Sequence, residues 1–151
     1  MPNPTMTKFG YPGSLIREYR HWCVLLRPAQ ATLGALVMVC TDEAEAFPDI
    51  SSEAFAEMAS VTKDIENTLC TFCPYQKINY LMLMMVDPDV HFHVLPRYAQ
   101  TQMFEGVEFP DPGWPAVPDL SQAILVEGDL QNKLLAELRG VWRTAAEDGT
   151  V

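Results

Sequence analysis

The order of apolar and polar positions along the chain predicts a short series of strands and helices. Residues 21–27 and 32–40 are compact apolar runs rich in strand-forming residues, and Pro28 ends the first of them. The link between them is short, so the two strands are predicted to form a hairpin or a bent pair. Residues 49–52 then offer helix-capping side chains, and apolar residues recur at helical spacing as far as Leu69. This pattern predicts an amphipathic helix.

A second pair of predicted strands follows the helix. Residues 78–86 are nearly all apolar, which predicts a central strand covered on both faces. Asp87, Pro88 and Asp89 have the chemistry of a turn, and residues 90–95 alternate between apolar and polar side chains. The two segments are therefore expected to pair as antiparallel neighbours.

The remainder of the chain predicts an irregular segment and a last helix. Residues 99–120 contain four prolines and two glycines, so regular structure is not expected there, and Trp114 is the predicted anchor. Asp129 is predicted to cap a helix over about residues 129–146, whose apolar side chains fall on one stripe. Together these elements predict an α+β fold, with an antiparallel sheet of about five strands and helices packed on it.

Composition narrows the class of protein. The chain has 151 residues, 48% of them apolar and 20% charged, which is typical of one soluble globular domain over residues 1–151. The first residues lack the pattern of a secretory leader and no apolar run is long enough to span a bilayer, so a cytoplasmic location is expected. The four cysteines fit reduced thiols. A net charge of −10 argues against binding along nucleic acid polymers, while small phosphorylated ligands remain compatible with it.

Two of the three histidines lie one residue apart in a predicted strand. Because side chains alternate along a strand, His91 and His93 share one face, with Asp89 at one end of it and Arg97 at the other. The intervening apolar side chains share the opposite face, which can be buried in the core. The predicted strand therefore directs two imidazoles, a carboxylate and a guanidinium toward a common space.

Three explanations of this histidine pair compete. The histidines are ordinary surface or core residues, or they form a metal site that Asp89 or a distant His21 completes, since His-x-His on a strand converges two nitrogens on one ion. In the third explanation a neutral imidazole attacks phosphorus, and its neighbours fix its tautomer and hold the phosphate. The spacing alone does not choose between the metal site and the nucleophile.

The amino-acid sequence around the histidine pair resembles a known active-site strand. Residues 90–97 read VHFHVLPR, which is similar to the strand of the histidine triad hydrolases and transferases, where histidines alternate with apolar residues and Pro-Arg often follows. The order of the flanking elements is similar too, including the KINY segment at residues 77–80. The Trp-Pro pair at Trp114 and Pro115 resembles a short bacterial branch of the family. The likeness covers roughly residues 22–115.

The resemblance implies a catalytic role for His91 and His93 and leaves two interpretations of Asp89. His91 falls on the nucleophile, which attacks the α-phosphorus of a nucleotide derivative, and water then hydrolyses the nucleotidyl-histidine. His93 falls on the histidine that contacts the phosphate. Asp89 stands where the family has its first histidine, and a carboxylate there would favour the imidazolium and repel the phosphate. Either Asp89 points aside and the enzyme is active, or the protein has become a catalytically weak nucleotide binder.

The resemblance also implies substrates and partners. The expected substrates are nucleoside phosphoramidates or dinucleoside polyphosphates, with no required cofactor, although a divalent metal can accompany a polyphosphate. Asn79 occupies a position where the family often binds nucleotide, and Arg97 either reaches a phosphate or pairs with an acid. Trp114 lines either the substrate site or the interface of a homodimer that joins two sheets. The alternative function is a metal-dependent enzyme built on Asp89, His91 and His93.

Overall fold

The computed structural model describes residues 2–142 and is built around one antiparallel sheet. In chain order its helices and strands are α1 (Pro4–Lys8), β1 (Leu15–Glu18), β2 (Trp22–Leu26), β3 (Ala29–Gln30), β4 (Leu36–Cys40), α2 (Ser52–Phe72), β5 (Lys77–Leu81), β6 (His91–Arg97), β7 (Gln102–Phe104), β8 (Val107–Phe109), β9 (Ile124–Leu125) and α3 (Gly128–Val141). Single 3-10 turns occupy Phe47–Asp49 and Leu120–Gln122.

The main sheet has five strands in the spatial order β1-β2-β4-β6-β5, and every neighbouring pair is antiparallel. All five residues of β2 and all five of β4 are buried, because both faces of the sheet are covered. The predicted pairing of the first two apolar runs, and that of β5 with the histidine strand, are both confirmed. The predicted α+β fold with a five-stranded sheet is confirmed as well.

Helices α2 and α3 pack together against one face of the sheet. Ser51 caps α2, as its side chain accepts a hydrogen bond from the Ala54 backbone N–H at 3.0 Å. The Trp22 indole N–H donates to the Ala54 carbonyl at 2.8 Å, which ties β2 to the first turn of this helix. Leu134 and Leu138 of α3 are fully buried in the same core. These contacts hold α2 and α3 against this face of the sheet.

Helix α1 covers the opposite face. Met6 and the following Phe9 pack against a small apolar cluster of the central strands, formed by Cys23, Leu25, Val37 and Val39. The register places Val39 beside His91 and Val37 beside His93. The two histidines therefore lie on the α1 face of the sheet.

The prediction for residues 78–86 is wrong in extent and position. The strand β5 ends at Leu81 and is an edge strand of half-buried residues, not a central strand. Its five residues pair with β6 as far as His93, and the chain then leaves the sheet. Beyond the end of β5, Met84 takes a left-handed backbone conformation with φ of 49°, which is not extended although the side chains remain apolar.

Two other predictions also differ from the structure. Residues 99–120 include the hairpin β7–β8, whose two linking residues, Glu105 and Gly106, have φ of 51° and 75°. Positive φ at both positions is the conformation that tight hairpins favour. Glu127, not Asp129, occupies the N-cap position of α3, and Asp129 lies in its first turn. The helix ends at Val141, and predicted positions 143–146 lie outside the described residues.

All four cysteines are free thiols, and two of them, Cys23 and Cys40, are buried in the sheet. Within residues 2–142, no helix is both long enough and apolar enough to cross a membrane.

Candidate active site

The centre of the candidate site is the pair His91 and His93 on β6. Both side chains are nearly buried, and their ring centroids lie 5.3 Å apart with the rings close to perpendicular. The Phe9 ring after α1 covers them, at 6.1 Å from the His91 ring and 5.5 Å from the His93 ring. The N-terminal segment thus forms one wall of a cavity over the two imidazoles, which we call the histidine cavity.

The backbone before β6 sets the tautomer of His91. The His91 Nδ1 lies 2.7 Å from the Asp89 backbone carbonyl, which can only accept a hydrogen bond. Nδ1 therefore carries the proton, and in the neutral ring Nε2 keeps its lone pair. A neutral imidazole held in this way is a nucleophile or a base at Nε2.

His93 has the opposite tautomer. The Arg27 Nε donates to the His93 Nδ1 at 3.3 Å, so the His93 proton is on Nε2. Burial, and after it the positive charge of Arg27, lower the pKa of His93 to about 4. His93 is therefore neutral at physiological pH and presents an N–H donor beside the lone pair of His91.

The carboxylate of Asp89 does not line the histidine cavity. Its Oδ2 accepts the Thr5 backbone N–H at 3.1 Å, and its own backbone N–H donates to the Thr5 Oγ1 at 3.1 Å. The side chain lies near the start of α1 and borders a separate cavity beside Asn3 and Asp42. The backbone of Asp89 orients His91 while its carboxylate is engaged elsewhere.

The walls of the histidine cavity combine two cations and the carboxylate of Asp87 with an apolar rim. Lys8 at the edge forms an ion pair with Asp87 at 2.8 Å and is half exposed. The residues that line the cavity beside the histidines are Lys8, Phe9, Arg27, Leu83, Met84, Met85, Val86, Asp87 and Leu120. Residues 83–86, which were predicted to belong to a strand, thus form a loop over the histidines. A cavity with this lining suits an anionic group next to an apolar one.

Arg97 and Asn79 lie on the same sheet face but at its other end. Arg97 donates to both carboxylate oxygens of Asp111, at 2.7 and 3.0 Å, and to the Asn79 side-chain oxygen at 2.7 Å. Of the two roles that the sequence left open for Arg97, the structure shows the ion pair with an acid. Asn79, Arg97 and Trp114 line a second cavity, along the edge strand β5. The predicted site residues are therefore divided among three cavities: the two histidines line one, Asn79, Arg97 and Trp114 line another, and Asp89 borders the third.

Sequence reasoning missed Arg27, Lys8 and Phe9. Arg27 is the first residue after β2, and a cation that directly follows a fully apolar strand was the only signal in the sequence. Lys8 and Phe9 reach the site because α1 folds back over the sheet, which no local pattern indicates.

The structure also bears on the metal-site alternative. Across residues 2–142, no group of three or more histidine, cysteine, aspartate or glutamate side chains is arranged to hold a metal ion. The Asp89 carboxylate is bonded to α1, so it does not join the two imidazoles as a third ligand.

Comparison with solved structures identifies the architecture. The chain matches a histidine triad protein from Sinorhizobium meliloti with a TM-score of 0.72 and 16% identity, covering 93% of this chain and 95% of that one. A histidine triad protein from Bradyrhizobium japonicum matches with a TM-score of 0.67 and 15% identity, over 95% and 98% of the two chains.

A third match is a hypothetical histidine triad nucleotide-binding protein from Sulfolobus tokodaii, with a TM-score of 0.64, 17% identity and coverage of 91% and 88%. No family model matches the chain, and no curated protein matches it. The five-stranded antiparallel sheet with its packed helices is therefore the fold of the solved histidine triad proteins.

Proposed function

We propose that this protein is a nucleotide hydrolase or nucleotidyl transferase that acts at the α-phosphorus of nucleoside phosphoramidates or dinucleoside polyphosphates. The observation that carries the proposal is the hydrogen bond from the His91 Nδ1 to the Asp89 carbonyl. With the proton on Nδ1, the Nε2 of the neutral ring has a free lone pair, and it lies in a cavity that Lys8 and Arg27 also line. The similarity of the fold to a histidine triad nucleotide-binding protein supports the nucleotide as ligand.

In the first proposed step His91 is the nucleophile. Its Nε2 lone pair forms a bond to the α-phosphorus, and the bond from phosphorus to the leaving group breaks with the electron pair on the leaving group. The leaving group takes a proton from water or from solvent-exposed acid. The His93 Nε2–H donates to a non-bridging oxygen of the phosphate, where negative charge accumulates.

In the second proposed step water replaces the histidine. A water molecule forms the new oxygen–phosphorus bond, the bond between phosphorus and Nε2 breaks, and the imidazole recovers its lone pair. The water loses a proton to solvent, and the nucleoside monophosphate leaves. An alcohol or amine in place of water would make the same step a nucleotidyl transfer.

The direction of the Asp89 side chain supports an active enzyme over a catalytically weak binder. Its carboxylate is bonded to Thr5, so it does not present a negative charge to the phosphate in the histidine cavity. We assign Asp89 the role of orienting His91 through its backbone carbonyl. The absence of a third histidine then removes no group from the attack itself.

We propose that two copies of the chain form a homodimer along the edge strand β5. This strand has no neighbour on its outer side among residues 2–142, and the second cavity runs beside it. Unpaired strand edges are surfaces on which another chain can add a strand. In such a dimer Asn79, Arg97 and Trp114 would lie at the interface and form the outer part of the substrate site.

Turnover by wild type and by His91→Ala tests the proposed reaction. Adenosine phosphoramidate and diadenosine polyphosphates are incubated with each protein, with and without a chelator, and AMP is measured by chromatography. We expect wild type to release AMP in both conditions and His91→Ala to lose at least about a thousandfold of the rate, because the nucleophile is gone. Intact mass after an alkaline quench should show a nucleotidyl group on wild type only.

His21→Ala is the matched control, since His21 lies outside the histidine cavity and pairs with Asp42 at 3.1 Å. Equal release of AMP by wild type and His91→Ala would contradict the nucleophile. Loss of adenosine phosphoramidate turnover on chelation would contradict the metal-free mechanism, because this substrate has no polyphosphate to bind a metal. A wild type that binds AMP but releases none from any substrate would be a nucleotide binder.

A further inference from the structure

We propose that Arg27 is the residue that binds the phosphate of the substrate in the histidine cavity. This inference rests on the proposed function, because it names the anchor for the same phosphate. It concerns a residue that lies 64 positions before His91 in the chain and outside the histidine strand.

The register of the sheet brings Arg27 to the histidines. Arg27 directly follows β2, and its backbone N–H donates to the Ala35 carbonyl at 3.1 Å, just before β4. The next strand in the sheet is β6, and the Arg27 Nε reaches across to the His93 Nδ1 at 3.3 Å. The guanidinium is partly buried and lines the cavity above both imidazoles.

The hydrogen bonds of Arg27 leave part of its guanidinium unused. Nε donates to His93, and Nη1 donates to the Ala29 carbonyl. Nη2 has no hydrogen-bond partner within residues 2–142. The guanidinium of arginine offers its N–H groups as a planar fork that matches two phosphate oxygens, so an incoming phosphate can use the remaining donors.

Arg27 has no carboxylate partner within residues 2–142, although the chain carries 20 acidic residues. The contrast is Arg97, which is also removed from water but is neutralised by both oxygens of Asp111. A partly desolvated cation without a counter-ion is unfavourable, and an anion that binds beside it recovers the lost interaction. The arrangement is therefore that of an anion site.

Lys8 does not fill the same role. Its amino group is half exposed and already paired with Asp87 at 2.8 Å, at the edge of the cavity. Arg27 is the inner cation and directly contacts a histidine. It therefore has two effects on the phosphate: its own N–H groups bind the oxygens, and its bond to Nδ1 keeps the His93 proton on Nε2, facing the same ligand.

The test compares Arg27→Gln and Arg27→Lys with Arg20→Gln, which removes the same charge from an exposed position outside the cavity. Calorimetry with AMP, adenosine and inorganic phosphate measures binding, and turnover of adenosine phosphoramidate gives kcat and KM. We expect Arg27→Gln to weaken AMP binding about tenfold or more and to leave adenosine binding unchanged, because only the phosphate contact is lost. Arg27→Lys should recover part of the loss, and Arg20→Gln should match wild type.

Binding and turnover separate this proposal from the proposed function. If wild type binds AMP through Arg27 but turns over no substrate, the phosphate site stands and the hydrolase proposal fails. If Arg27→Gln folds, binds AMP and turns over substrate like wild type, the phosphate site is overturned while the hydrolase proposal stands. Wild type that binds neither AMP nor inorganic phosphate overturns the phosphate site as well.

A titration of His93 by NMR keeps the inference testable if Arg27→Gln binds poorly for structural reasons. The His93 pKa of about 4 depends on burial first and on Arg27 second. In a folded Arg27→Gln protein the His93 pKa should rise toward its ordinary value, and adenosine binding should persist. Loss of adenosine binding together with AMP binding would show a general defect and overturn the specific phosphate role.

Discussion

His91 and His93 carry their protons on different ring nitrogens, although they are the same residue type on one face of one strand. The difference comes from their partners: a backbone carbonyl accepts from the His91 Nδ1, and a guanidinium donates to the His93 Nδ1. One imidazole therefore presents a lone pair and the other an N–H. The assignment of His91 as the nucleophile and His93 as the donor therefore follows from two hydrogen bonds, each to a residue outside β6.

Replacement of His93 should change how stability depends on pH. Burial and Arg27 lower the pKa of His93 to about 4, below the value of about 6.5 for a free imidazole. Between these pH values the unfolded chain binds a proton that the folded protein does not, so stability falls as the pH falls from about 6.5 to about 4. We expect wild type to lose at least about 3 °C more in Tm than His93→Gln over that range, measured by circular dichroism.

Carboxyl groups titrate in both proteins, so only the difference between the two curves is informative. Above about pH 7.5 the difference should be constant, because the imidazole is neutral in the folded and unfolded states. His21→Gln controls for the loss of a histidine elsewhere. Parallel curves for wild type and His93→Gln would contradict a buried, neutral His93.

Helix α1 depends on a distant residue. It has only five residues, which is too short for a helix to be stable alone. Thr5 and Asp89 exchange two hydrogen bonds of 3.1 Å across 84 positions of sequence, and the carboxylate accepts one of the N–H groups that the start of a helix leaves free. This pair positions Phe9 over the histidines, so Asp89 serves the site through α1 as well as through its carbonyl.

Asp89→Ala should therefore destabilise the protein while leaving the backbone bond to His91 in place. The buried Thr5 N–H loses its acceptor, which costs about 1–3 kcal/mol of unfolding free energy. Asp89→Asn is the matched control, because its side-chain oxygen still accepts that bond. Urea denaturation should rank wild type and Asp89→Asn above Asp89→Ala, and an Asp89→Ala protein as stable as wild type would disprove the anchoring role.

Local patterns predicted some of these elements and not others for a physical reason. The helical spacing of α2 and the alternation of β6 report which side chains face a core, and that requirement is local. The apolar side chains of residues 82–86 do not indicate where the pairing of β5 with β6 ends. The predicted strand was therefore too long. The short helix α1 has local start signals, the Asn3 cap and Pro4, but its five residues are too few to show an apolar stripe, and Asp89 and the sheet add contacts that no local pattern reveals.

The same distinction holds for the candidate site. The histidine pair was visible in the sequence because both side chains belong to one strand. Arg27 was not, because its approach to His93 needs the register of β2 on β4 and of β4 on β6. The side chain of Asp89 precedes β6, so strand alternation did not predict its turn toward α1.

For the whole molecule, both faces of the sheet are covered, whereas the edge strand β5 has no neighbouring strand on its outer side among residues 2–142. Helices α2 and α3 cover one face and α1 part of the other, while β5 forms an edge beside the second cavity. The buried pair of Arg97 and Asp111 connects this edge to the loop that carries Trp114. An edge with a fixed loop and a cavity is a surface on which the proposed second copy could add its own β5.

Analytical ultracentrifugation tests the proposed dimer. We expect wild type to sediment with twice the mass of the chain, and Val117→Glu to shift toward the monomer, because Val117 is 81% exposed and lines the β5 cavity. Val86→Glu is the matched control: Val86 is 80% exposed but lines the histidine cavity, so its variant should remain dimeric. A monomeric wild type, or equal effects of the two variants, would exclude this interface.

The apolar loop over the histidines also has a thermodynamic consequence. Leu83, Met85 and Val86 leave much of their surface in water at the mouth of the cavity. A ligand held only by the imidazoles and Arg27 leaves that surface wet, whereas a ligand with an apolar group would cover it. Covering apolar surface makes the heat capacity of binding more negative. Calorimetry at several temperatures can therefore sort candidate substrates by how much of this rim they occupy, before any reaction is observed.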